Sequence, residues 1–184
     1  MMKKMNVMAL VMALVVVFCM LCSCGTGDAE SKDVLRDGVK KVYHIDEEGE
    51  KLVTTMFETF DNELKKIKTL ENISEDDLAQ YADNVGTAFN SFSDSFYKKF
   101  EPDLNGYEGA QKDDAQEIVL KYASLLLSSS DVTWAVLDYR HGNGGSGEIC
   151  FESAVNFVNS CSEFFYGTDR ITDEELDQLA EAFE

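Results

Sequence analysis

Two apolar stripes constrain this chain more than any other feature. Val53, Phe57, Phe60, Leu64 and Ile67 recur at alternating steps of four and three, and Tyr81, Val85, Phe89, Phe92 and Phe96 follow at steps of four, four, three and four. That spacing puts each set on one face of an α-helix and is incompatible with the two-residue period of a strand. Pro102 is the only proline in 184 residues, so little in the chain breaks long helices. The expected fold is all-α: an antiparallel bundle of four to five helices.

The boundaries follow from local chemistry. The first long helix runs from Glu47 to about Leu70, where Asn72 ends it. Ser74 precedes three acids, an N-cap followed by a first turn that suits the helix dipole, and opens a second helix to about Phe100. Glu101 to Gly109 carries Pro102, Asn105-Gly106 and Gly109 and reads as a connection. A third helix begins near Gln111. Ser128 to Asp131 either breaks it or lets Val132, Val136 and Tyr139 continue its face to His141; the β-branched content of Val132 to Tyr139 also suits a strand. His141 to Gly147 reads as a flexible loop, and a fourth helix follows from Glu148 to Tyr166. Thr172 and Glu175 form a capping box for a last helix carrying Leu176, Leu179 and Phe183. Val34 to Ile45 fits a short helix or a strand equally well.

The N-terminus has a different character. Lys3 and Lys4 precede an almost unbroken apolar run from Val7 to Leu21, the layout of an export signal. At its end, Leu21-Cys22-Ser23-Cys24 resembles the lipobox of bacterial lipoproteins, with Leu at −3, a small residue at −1 and the cysteine to be lipidated. Cys19 and Cys22 do not fit, because Phe18 and Leu21 are too bulky for the −1 slot. The resemblance covers only this segment. It implies a signal peptide over residues 1–23, recognised by the signal peptidase through Leu21, Cys22 and Ser23, and a lipid anchor on Cys24. Residues 24–33 then form the lipidated end and a polar tether, and 34–184 a single acidic helical domain. The implied location is the extracytoplasmic face of a bacterial membrane or envelope, held by a thioether-linked diacylglycerol and an N-acyl chain, with the membrane as partner through Cys24.

Processing at Cys24 leaves 161 residues and removes six of the seven methionines, sparing Met56. Loss of Lys3 and Lys4 takes the 16 basic residues to 14 against 35 acidic ones, so the formal net charge deepens from −19 to −21. Such a surface repels polyanions, which excludes nucleic acid as a ligand. Eleven Phe, seven Tyr and Trp134 remain, ample for a core. Cys150, Ala154, Phe157, Cys161 and Phe164 share a helical face. Eleven residues of helix separate the two cysteines by about 16 Å, too far for the roughly 4.4–6.8 Å of a disulfide.

Four motifs invite a chemical reading. Gly142-Asn143-Gly144-Gly145-Ser146-Gly147 matches G-x-G-x-x-G, which in a dinucleotide fold brings a pyrophosphate to a helix N-terminus; here it lacks the βαβ unit, and Glu148 spoils G-x-S-x-G around Ser146. No cofactor is implied. Asp138 and His141 have metal-ligand spacing, yet His141 beside Gly142 also suits a C-terminal cation facing the dipole. Asp103, Asn105 and Glu108 offer oxygens, but Glu108 stands where a calcium loop needs glycine. Phe89, Phe92, Phe96 and Phe100 form either core or the wall of an apolar cavity. The expectation is a noncatalytic binding or accessory module with a protein or small-ligand partner of unknown identity. The alternative is an envelope enzyme or metal-binding protein using Asp138 and His141 with carboxylates from another helix.

Overall fold

The structure, a computed structural model, describes residues 34–181. The proposed signal peptide, the lipobox from Leu21 to Cys24, the tether and Phe183 lie outside the described residues. The described residues form one compact unit. Every regular element among the described residues is a helix: α1 (Asp37–Val42), α2 (Glu47–Lys68), α3 (Glu75–Tyr97), α4 (Ala110–His141), α5 (Gly147–Tyr166) and α6 (Asp173–Glu181). The six exceed the four or five expected from sequence by α1, the segment whose few apolar residues fitted a short helix or a strand equally well.

Of the ambiguous 34–45 segment, Asp37–Val42 is helical, with Val39 and Val42 buried. His44 ends the turn in the left-handed region at φ 50°, and Asp46 then caps α2 by accepting from the Gly49 N–H at 3.0 Å. All five stripe residues of α2 are buried. Helix α3 starts on a full capping box. The Ser74 hydroxyl accepts from the Asp77 N–H at 3.2 Å, and the Asp77 carboxylate accepts from the Ser74 N–H at 2.9 Å.

Helix α4 runs unbroken through Ser128–Asp131, a correction to both the break and the strand allowed above. Its hydroxyls return to the carbonyls of the preceding turn. Ser124 Oγ donates to Leu120 O at 3.0 Å, Ser129 Oγ to Leu126 O at 2.8 Å, and Thr133 Oγ1 to Ser129 O at 3.1 Å. Satisfied this way, the hydroxyls no longer compete with the helix. Buried Val132 and Val136 continue the inner face; packing at a period of 3.6 outweighs β-propensity.

Helix α3 packs against α2, α4 and α5, while α4 also touches α5 and α1. Their meeting point is an aromatic cluster. The Phe96 ring lies 5.6 Å from both Tyr43 and Tyr122, Phe92 lies 5.7 Å from Phe165, and Phe89 lies 4.7 Å from Phe157. Tilted and edge-on pairs of this kind add to the stabilisation from burial alone. Phe89, Phe92, Phe96 and Phe100 are at most 6% exposed, so the Phe stripe is core. Cys150 and Cys161 are buried free thiols on the same helix, and burial raises the pKa of both. Among the described residues, no helix is long and apolar enough to cross a membrane.

Candidate functional site

The α4–α5 junction gathers most of the residues with chemical promise. Helix α4 ends at Gly142, whose left-handed φ of 67° lets its N–H return to the carbonyls of Asp138 and Tyr139. Asn143 N–H follows, donating to Asp138 O at 2.9 Å. This is a glycine C-cap of the ordinary kind. Asp138 and His141 are both exposed at this end. Among the described residues, no three His, Cys, Asp or Glu side chains stand close enough to hold a metal ion. The structure therefore brings no further carboxylates to this pair.

The side chains between them work as fasteners. Tyr139 donates to Asp76 at 2.7 Å, and this hydrogen bond pushes its hydroxyl up to about 12. Arg140 meets Asp83 at 2.9 Å. Both hold the last turn of α4 against α3.

The glycine loop is packed at its end: a Cβ on Gly142 or Gly144 would meet nothing within 4 Å, whereas Gly145 and Gly147 lie against backbone. Ser146 caps α5, accepting from Ile149 N–H at 3.2 Å. Gly147 N–H donates to the Glu75 carboxylate at 2.6 Å. The N-terminus of α5 thus already holds a carboxylate where a phosphate-binding loop would hold its anion. Gly147 is required by proximity: a Cβ there would lie 2.1 Å from Glu75 O and 2.6 Å from Glu75 Cα. The G-x-G-x-x-G match is a helix–helix junction.

Other sequence candidates are likewise accounted for. Asp103 accepts from Asn105 N–H at 2.7 Å and sits 3.6 Å from His44, and the backbone hydrogen bond chiefly holds its carboxyl below the usual range. Its loop is tied to α1 through Asp103 N–H donating to Val42 O at 2.9 Å. A shallow surface depression on α2 is lined by Thr59, Asn62, Glu63, Lys65, Lys66 and Thr69. It lies along one helix. Glu63 there is engaged by Lys66 at 2.5 Å and Asn84 at 2.7 Å.

Three features carry no obvious sequence signal. Asn159 clamps the chain after α5, its Oδ1 accepting from Arg170 N–H (3.0 Å) and Ile171 N–H (2.8 Å) and its Nδ2 donating to Ile171 O (2.9 Å). Arg170 stacks 4.8 Å over Phe57 while pairing with Asp61 at 2.7 Å. Tyr81 is 2% exposed, and its hydroxyl has no hydrogen-bond partner among the described residues. A fourth was legible: Leu120, Leu127 and Trp134 recur every seven residues and all face outward from α4, 63–72% exposed. Comparison with protein-family models, curated proteins and solved structures finds no match.

Proposed function

We propose that this protein is a lipid-anchored, extracytoplasmic binding or accessory module of a bacterial envelope, without catalytic chemistry of its own. The observation that carries the reading is Leu21-Cys22-Ser23-Cys24 at the end of the apolar run that follows Lys3 and Lys4. Cys24 receives the lipid, and residues 25–33 reach about 30 Å when extended, enough to hold the domain clear of the headgroups. More than one acyl chain is needed for stable anchoring, which the lipobox chemistry supplies.

One structural observation supports the module half of the reading. At the α4–α5 junction the acids Glu75, Asp76 and Asp83 are engaged by the Gly147 N–H, the Tyr139 hydroxyl and the Arg140 guanidinium. We read the helices as an antiparallel bundle. Contacting neighbours α2 and α3 are joined by six residues and α4 and α5 by five, and short connections make antiparallel neighbours.

The test is acyl labelling in a bacterial host. Wild-type chain incorporates radiolabelled palmitate and fractionates with membranes, whereas Cys24→Ala incorporates none and is released. Labelling that persists in Cys24→Ala refutes the anchor.

A further inference from the structure

Helix α4 is apolar on two opposite faces. Inward it presents Ala115, Tyr122, Leu125, Ser129, Val132 and Val136, all buried. Outward, Leu120, Ala123, Leu127, Ser130, Trp134 and Leu137 follow alternating steps of three and four. The first five are exposed, and Leu137 is half-buried. That is an a/d heptad seam, the signature of a helix that packs on another helix. It extends seventeen residues, or about 26 Å. Between Val119 and Leu137 only Lys121 and Asp131 carry charge, in a chain that is 28% charged. A helix apolar on both sides is normally covered on both.

We propose that the cover is the same face of a second copy, the two α4 helices pairing antiparallel about a two-fold axis between Leu127 and Ser130. Side-chain volumes select this register. An antiparallel pair sets each a position opposite a d position, so Trp134 lies over the small Ala123 of the second copy, Leu120 meets its Leu137, and Leu127 meets its Ser130. A parallel pair would set indole against indole and leave Ala123 facing Ala123. The two-fold is isologous and closes at a dimer.

Area agrees with this occupant, and charge sets how its stability depends on salt. Leu120, Leu127 and Trp134 are 66%, 72% and 63% exposed. Together they supply roughly half of the ~800 Å² that each partner of a standard interface buries, and the residues between and beside them extend the contact. The flank of the seam carries Glu117, Lys121, Asp131 and Asp138. In this register Glu117 meets Asp138 of the second copy, and Lys121, 2.8 Å from its own Glu117, lies within about a turn of both Asp131 and Asp138 across the seam. One lysine among three acids leaves excess negative charge on each flank, so added salt tightens the dimer. A bilayer surface suits this helix less well, since the seam lacks the basic rim of an interfacial helix. The proposal does not depend on the lipid anchor.

The test uses the full chain in detergent held above its micelle concentration, with sedimentation equilibrium and the emission of Trp134, the only tryptophan. Expected are twice the 20.6 kDa chain mass and a red shift of Trp134 emission on dilution. Leu127→Glu should raise the dimer Kd at least about 100-fold with an unchanged helical spectrum. Ala123→Trp alone should also break the dimer, and adding Trp134→Ala should restore it, because only the antiparallel register exchanges the two sizes. A wild-type chain that stays monomeric overturns the proposal, whether Trp134 then responds to phosphatidylcholine vesicles, pointing to a lipid surface, or to neither. A dimer indifferent to Leu127→Glu, or a swap that fails to restore association, overturns it as well.

Discussion

Gly147→Ala separates two accounts of the glycine loop by the sign of its effect. Gly147 lies in the first turn of α5 without a positive φ. If the loop were merely flexible, alanine would stabilise the protein by about 0.5–1 kcal/mol through helix propensity. The packing predicts the opposite. A Cβ placed 2.1 Å from Glu75 O meets backbone that cannot step aside, so α5 must withdraw from α3, at about 1–3 kcal/mol for the overpacking. The withdrawal also stretches the 2.6 Å bond from Gly147 N–H to the Glu75 carboxylate, and a hydrogen bond to a charged group contributes about 1.5–3 kcal/mol. Setting the propensity gain against these losses gives a net destabilisation of about 1.5–5.5 kcal/mol. Urea unfolding followed by far-UV circular dichroism measures it, with the m-value showing whether two-state behaviour survives. A neutral or stabilising Gly147→Ala would refute the close-approach account.

Tyr81→Phe should raise stability by about 1 kcal/mol, since it removes a buried hydroxyl without a partner and keeps the ring; a thermal midpoint lowered by the change would show that the hydroxyl is engaged. Asn159→Ala leaves two N–H groups and a carbonyl of the 170–171 segment unpaired and should cost about 2–4 kcal/mol, read from the denaturant midpoint; a loss under half a kcal/mol contradicts the clamp. The Asp77 carboxyl is held below its ordinary range first by the Ser74 hydroxyl and then by the Ser74 backbone N–H. Its contribution is therefore complete above an unfolded value near ~4 and is lost as pH falls through the lower folded value. Asp77→Asn should thus be less stable than wild type at pH 7, with the gap closing by pH 2; a gap that does not narrow with acid rejects the capping-box assignment.

How much of this was readable beforehand depended on period and composition. The stripes of α2 and α3, the Ser74 and Thr172 caps and the shared face of Cys150 and Cys161 rest on local spacing, and the structure places them as read. The serines of α4 misled because their effect depends on where each hydroxyl turns. In solution they compete with the helix, whereas here Ser129 bonds back to Leu126. The glycine loop looked free because the residue that crowds Gly147 is Glu75, seventy-two positions away. Asn159 and Tyr81 escaped for the same reason, since nothing local distinguishes a clamp or an orphaned hydroxyl. The outward seam of α4 was the opposite case. Its seven-residue spacing stands in the sequence, but the inward apolar residues interleaved with it blur the pattern until each side chain is assigned a face.

The two thiols of α5 have a practical consequence. Each is fully buried, and burial keeps each protonated and unreactive. A reagent in solution can modify them only when the helix around them opens. Labelling of Cys150 and Cys161 is therefore a clock for the interior. Cys150 lies in the first turn of α5, beside the Ser146 cap, and Cys161 lies deep in its second half. If the helix frays from its glycine end, Cys150 is modified first; if the core opens all at once, both react at the rate of global unfolding.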